Sequence, residues 1–224
     1  MREIVLDTET TGFDPSDGHR IVEIGCVELS NHVPTGAVWQ SYVNPERDMP
    51  DGAFQVHGLS ETFLADHPVF AEIVADFIDF LGDSKLVIHN AAFDLGFINA
   101  EFAMLGIAPI APARAIDTVQ MARTRFPGAQ ASLDALCRRF NIDNSARTRH
   151  GALLDAELLA EVYLELLGGR QHDFTLVSEN DTAKPDPVAD PRPTRTPRPH
   201  AVSAAEQAAH AAFLEQLTDP IWKT

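Results

Sequence analysis

Basic charge, cysteine and long apolar runs are all scarce in this chain. Its 224 residues carry 17 lysines and arginines against 33 aspartates and glutamates, a formal net charge of −16. A protein that holds nucleic acid by neutralising phosphates is usually basic. The balance counts against tight, autonomous DNA binding. It does not count against an enzyme whose acids hold metals, or one delivered to its substrate by a partner. The two cysteines, Cys26 and Cys137, are too few for a disulfide framework or a thiolate zinc site, and both fall in apolar patterns that read as core. No apolar run approaches the roughly 18 residues of a membrane span. Met1-Arg2-Glu3 leads straight into an apolar run with no signal-peptide pattern, which points to the cytoplasm. What is present, 45% hydrophobic residues, suffices for one domain with a core and something extra.

The chain is organised around Ile4-Val5-Leu6-Asp7-Thr8-Glu9-Thr10-Thr11-Gly12. Three branched apolar residues read as a strand buried on both faces. Side chains two apart on a strand share a face, so Asp7 and Glu9 stand side by side at its end. Like charges that close repel, and burial makes each costlier. Divalent cations are the usual remedy, and hard cations prefer carboxylate oxygen. The plainer alternative is a solvated strand end with chance acids.

Along the chain, Arg20 to Leu29 and Ala37 to Val43 read as second and third strands. Short connections predict an antiparallel meander. A polar loop to Gly52 follows, and His57 before Gly58 reads as a loop residue. Pro68 opens a helix to Leu81, with Phe70, Ile73, Val74, Phe77, Ile78 and Leu81 as its apolar stripe. Lys85 to His89 is a buried strand. Asn90 caps a helix to about Leu105, whose first turn carries Asp94 on the face shared with Phe97 and Ile98. An aspartate pointing inward needs a partner. Ala115-Ile116-Asp117 reads as a short final strand, followed by two helical stretches, the second behind Ser132. A long helix from about Ala152 to Leu167 ends at Gly168-Gly169. His150 on the loop before it and Asp155 inside it can converge on one target. Arginines at 123, 125, 138, 139, 147 and 149 form a local basic excess, read equally as a solvated face or a phosphate-steering patch.

After Gly169 the composition changes. From Lys184 to His200 there are six prolines and no aromatic residue, the pattern of an extended, disordered linker. Ser203-Ala204-Ala205-Glu206 is a capping box, and the helix it starts places Ala209, Phe213 and Leu217 on one side before Pro220. A short amphipathic helix on a tether, with Trp222 behind it, suits docking on another protein.

Together, D-T-E-T-T-G from Asp7, H-N-A-A-F-D from His89 and H-G-A-L-L-D-A from His150 resemble the DEDDh family of 3′–5′ exonucleases, over roughly residues 1–170. The resemblance implies an α/β, ribonuclease H-like fold: a mixed five-stranded sheet, antiparallel meander plus parallel strands, flanked by helices. Leu133 to Cys137, Ile142 to Ser145 and the layout of linker and tail are similar to the epsilon (proofreading) subunits of bacterial DNA polymerase III. What this implies is two-metal phosphodiester hydrolysis with Mg²⁺ or Mn²⁺. Residues matching Asp7, Glu9 and Asp155 ligate metal, Asp94 completes the site, and His150 takes the proton from the attacking water. An imidazole titrates near working pH, which suits that role. By the same resemblance Thr10 and His57 meet the terminal nucleotide, together with Asp7, Glu9 and Asp155, and Phe13 stacks on a base. Some relatives carry a carboxylate where this chain has Gly52.

The implied organisation is an exonuclease domain over 1–170, a Pro-rich flexible linker over 171–200 and a polymerase-binding segment over 201–224. The implied partners are 3′ ends of single-stranded or mismatched DNA, the polymerase (alpha) subunit through 201–224, and the sliding clamp through Gln171 to Leu176, a loose match to clamp-binding peptides. Two rivals stay open: a freestanding exoribonuclease, which the same carboxylates would serve, and a mainly tethering or stabilising polymerase subunit.

Overall fold

The computed structural model describes residues 1–145, 149–169 and 201–218. The chain divides into two compact units, Met1–Phe174 and Thr175–Thr224.

In the first unit, β1 (Arg2–Thr10) is the central strand of a five-stranded sheet. It pairs antiparallel with β2 (Ile21–Ser30), which pairs antiparallel with β3 (Val33–Tyr42). On its other side β1 runs parallel to β4 (Lys85–Ile88), which runs parallel to β5 (Ala115–Asp117). The order is β3-β2-β1-β4-β5, the meander expected from the short connections extended by the parallel strands that the resemblance implies. A parallel partner needs a long crossover, and helices supply it.

The alternation of β1 divides the core. Ile4 and Leu6 pack on one face with α3 (Phe70–Leu81) and α4 (Ala91–Met104). Val5 faces the other way, into a cluster with α6 (Leu133–Phe140) and α7 (Ala152–Leu166), beside α5 (Thr118–Arg125). Both cysteines are buried, as their apolar settings imply. The start of β2 is tied to α4 by Arg20, whose Nε and Nη2 donate to the two oxygens of buried Glu101 at 2.7 Å each. That fork holds the helix bearing Asp94 against the sheet.

The segment read as a loop after Val43 holds two short helices, α1 (Asp51–His57) and α2 (Glu61–Leu64). Each buries a single residue, His57 and Leu64 respectively, so neither writes a helical stripe into the sequence. His57 is thus the last residue of a helix, closed by Gly58 at φ +77°. Other differences are local. α3 begins at Phe70 and leaves Ile78 37% exposed. β3 begins four residues early, at Val33. Asn90 stands before α4 in the left-handed region at φ +69° and makes no side-chain cap bond. Ser132 does cap α6, accepting from the Ala135 N–H.

In the second unit, α8 (Ala204–Glu215) starts with the expected capping box: Ser203 and Glu206 satisfy one another's backbone N–H groups. Leu217 lies beyond its end. The linker, the Gln171 to Leu176 peptide and Trp222 fall outside the described residues.

One close approach sets the position of α7. Gly25 of β2 faces the backbone of Ala152 and Leu153, and a Cβ there would overlap both. Glycine lets the first turn of α7 rest directly on the sheet. Gly25→Ala should cost about 1–3 kcal/mol of stability, the usual penalty for overpacking. Urea unfolding would measure it; an unchanged midpoint would mean the helix is not seated there.

Candidate active site

The site is built where β1 outruns its parallel neighbour. β4 stops at Ile88, opposite Leu6, and the next residues of β1 are Asp7, Thr8 and Glu9. Asp7 and Glu9 continue the face of Val5, towards α7. Thr8 turns to the α4 side, and its hydroxyl donates to Asp94 Oδ1 at 2.7 Å. Asp94 thus reaches the strand end from the first turn of α4, where the helix dipole favours a negative charge. Asp155 arrives from the first turn of α7, its N–H bonded to the Gly151 carbonyl. His150 precedes that helix. Its Nδ1 lies 3.2 Å from Asp155 Oδ2, and its backbone N–H donates to Val56 of α1 at 3.3 Å.

All five residues that the sequence nominated as metal and proton-transfer groups, Asp7, Glu9, Asp94, His150 and Asp155, line one open cleft of about 320 Å³. Glu9, Asp94 and Asp155 are nine-tenths or more buried, and no lysine or arginine lines the cleft among the described residues. Ligand atoms of Glu9, His150 and Asp155 lie within 4.8 Å of one another. Clustered carboxylate oxygens without a cationic side chain are the donor set of a hard divalent ion. The residues therefore fit a metal.

Burial disfavours the charge of Asp94. Asp94 is pushed up from 3.8 to about 7, chiefly by desolvation, with Asp117 adding repulsion and the Thr8 hydroxyl opposing it. Asp134 and His89 also line the cleft. His89 Nδ1 meets the Thr118 hydroxyl at 2.9 Å.

The nominated substrate contacts line an adjoining cavity of about 380 Å³, which shares Thr8, Glu9 and Phe93 with the cleft. Thr10, Phe13, Gly52 and His57 all border it. The Thr10 hydroxyl donates to the Gly12 carbonyl at 2.6 Å, shaping the turn. Phe13 is 91% exposed, a large apolar surface at the rim. His57 Nδ1 accepts the Leu59 N–H at 3.0 Å, so the neutral ring carries its proton on Nε2. That buried Nε2 makes no well-aligned hydrogen bond among the described residues, although the Thr10 backbone lies close enough to favour its proton. Burial, then the nearby His150, holds the His57 pKa low.

The arginines do not gather here. Arg125 donates to the Glu165 and Leu166 carbonyls at the far end of α7, and Arg139 stacks on Phe126. Arg149 lies over the Phe54 ring, no described arginine lines the cleft or the adjoining cavity, and Arg147 lies outside the described residues. Two residues escaped the sequence reading. Thr8 was legible as the residue between two acids, on the opposite face. Glu23 of β2, opposite Glu9 and 3% exposed, left no signal beyond being an acid in an apolar strand.

A mixed sheet in this order, with helices on both faces and buried acids and a histidine at the end of its central strand, defines a ribonuclease H-like nuclease of the DEDDh class. The family model described as exonuclease (RNase T) matches residues 4–163. DNA polymerase III subunit epsilon of Rickettsia felis is 56% identical over 183 residues, 80% of each chain. That of Escherichia coli K12 is 48% identical over 188 residues, 81% of this chain and 77% of the relative. Among solved structures, exonuclease X in complex with 5′-overhanging duplex DNA superposes with a TM-score of 0.57 at 25% identity, covering 74% of this chain and 90% of that one. A DEDDh-family nuclease domain bound to rAMP gives 0.65 at 21% identity, covering 74% and 91%. The chain belongs to the DNA polymerase III epsilon subunit family, the proofreading 3′–5′ exonucleases. Enzymes of this class depend on divalent metal.

The raised Asp94 carboxyl gives a signed test. Between 3.8 and about 7 the folded, metal-free chain holds a proton that the unfolded chain has lost, so this group lowers stability as pH rises through that window. Asp94→Asn removes the penalty. In EDTA it should be more stable than wild type at pH 8, by roughly 1–4 kcal/mol, and by less than half as much at pH 5. Urea unfolding at the two pH values measures this; the opposite order would refute the assigned shift.

Proposed function

We propose that the chain removes mispaired nucleotides from DNA 3′ ends by hydrolysis with two divalent cations, Mg²⁺ or Mn²⁺. The observation that carries this reading is the convergence of the five side chains in one cleft at the end of β1. Asp7, Glu9 and Asp155 would hold the cations, and Asp94, backed by Thr8, completes the site. When bound, the pair supplies electrostatic stabilisation of the attacking and leaving oxygens of an in-line displacement. It also cancels local negative charge, which lets an anionic strand approach an acidic protein.

His150 is the general base. With its Nδ1 proton directed at Asp155, Nε2 is the atom that takes the proton from the attacking water. Its position ahead of α7, not within it, gives the ring freedom to swing towards that water. The adjoining cavity would receive the terminal nucleotide. Thr10 borders it, His57 offers its Nε2 proton to an acceptor on the sugar or phosphate, and Phe13 stacks on a base. Stacking is worth roughly 1–3 kcal/mol per base and tolerates any sequence. A mispaired end costs less to unpair than a matched one, which selects mismatches without reading bases.

Beyond the exonuclease domain, residues 1–170 in this reading, the linker over 171–200 would tether the domain and residues 201–224 would dock on the polymerase (alpha) subunit. α8 supports this, since Phe213 stands 55% exposed on it. The sliding clamp through residues 171–176 and a cytoplasmic setting belong to the same reading.

Asp7→Ala and Asp155→Ala should each abolish hydrolysis of a single-stranded oligomer while leaving the circular dichroism spectrum unchanged; activity retained in either would refute the metal roles. His150→Ala should lower kcat by about 10²–10⁴-fold, the usual share of a general base. Comparing matched DNA and RNA oligomers separates the DNA reading from an RNA-end nuclease. Truncation after Gly169 should abolish polymerase capture in a pull-down yet spare hydrolysis. Loss of both would mean that the tail also supports the fold, and capture by the truncated chain would refute the docking assignment.

A further inference from the structure

α7 carries Asp155 in its first turn and follows directly on His150, yet it starts without a cap of its own. Its N-cap residue is Gly151, which has no side chain to accept the first N–H groups. Helix starts leave such donors needing partners. The acceptor comes from the sheet. Glu23 of β2 is 3% exposed, and the backbone N–H groups of Ala152 and Leu153 act on it as donors that favour its charged form. Its Oε1 also accepts from Gln40 Nε2 of β3 at 2.7 Å.

The register makes this placement specific. Across β1 and β2, Asp7 stands opposite Gly25 and Glu9 opposite Glu23. The two β2 residues that face the β1 acids are therefore the two that seat α7. Gly25 gives room for the backbone of Ala152 and Leu153, and Glu23 gives them an acceptor. The arrangement has a cost. Glu23 is desolvated, and it repels Asp155. A neutral residue would fill the space without that repulsion, but it would not hold two N–H groups and Gln40 together.

We propose that Glu23 is a positioning residue: braced by Gln40, it fixes the first turn of α7 so that Asp155 and His150 meet the acids of β1 at metal-binding distance. It touches neither substrate nor reacting atoms. The inference rests on the metal-site reading of the cleft. Partners that orient ligating carboxylates from behind commonly contribute about 10–100-fold to metal affinity or activity.

The test is Mn²⁺ binding to the full chain, followed by electron paramagnetic resonance, for wild type, Glu23→Gln, Glu23→Ala and Gln40→Leu. kcat and KM on a single-stranded DNA oligomer and thermal unfolding accompany it. Glu23→Gln keeps the shape and should weaken Mn²⁺ binding about 10–100-fold. Its kcat should fall in step, its oligomer KM should change little, and excess Mn²⁺ should partly restore the rate. Gln40→Leu should show a smaller loss of the same kind. A merely structural cap would lower Tm while leaving Mn²⁺ affinity and kcat of the folded protein at wild-type values in both Glu23→Gln and Gln40→Leu, and that result overturns the inference even if Glu23→Ala fails to fold. Wild type that binds no Mn²⁺ overturns the reading of the cleft as well. Wild-type binding with unaltered variants overturns the role of Glu23 alone.

Discussion

The structure depends on mutual repulsion held in check. Several carboxylates converge where β1 passes the end of β4, three of them almost wholly removed from water. Like charges this close repel, and Asp94, desolvated by burial and repelled by Asp117, keeps its proton to about pH 7. A fold that tolerates this must be rigid elsewhere. The two apolar clusters on either side of the sheet supply that rigidity, and the fork from Arg20 to Glu101 adds an anchor for α4. The instability concentrated at the strand end is the same property that suits the cleft to a divalent cation.

Geometry at that strand end follows from unequal strand lengths. β1 and β2 pair through Glu9, while β4 leaves the sheet at Ile88. The chain then turns at once into α4, so Asp94 appears beside Thr8 from the opposite face. α7 closes the site from above β2, at a point where Gly25 removes the bulk of a side chain. Asp7 and Glu9 are therefore held by β1, Asp94 by α4 and Asp155 by α7, three elements that meet at one end of the sheet.

Much of this was legible along the chain. The run from Ile4 to Glu9 identified the central strand because burial on both faces demands unbroken apolar residues. The stripes of α3 and α6 identified helices because each buries one face. Long-range grouping of the site rested on three short motifs, whose spacing no local rule connects. Legibility failed where burial was slight. α1 was read as loop because His57 is its only buried residue. Asn90 was expected to cap α4 with its side chain, but its left-handed backbone points that side chain elsewhere.

By itself the sequence determined which residues have to be buried and which of them are chemically expensive to bury: Asp7, Glu9, Asp94 and Asp155 stand in apolar patterns that leave them nowhere else to point. Only the tertiary structure decided what stands behind them. Thr8 bonds Asp94 across 86 residues of sequence, and Gln40, Glu23 and the start of α7 form a chain through three elements. Such partners obey no period and no spacing, because hydrogen bonds between elements are fixed by how strands and helices pack, which a linear pattern does not record.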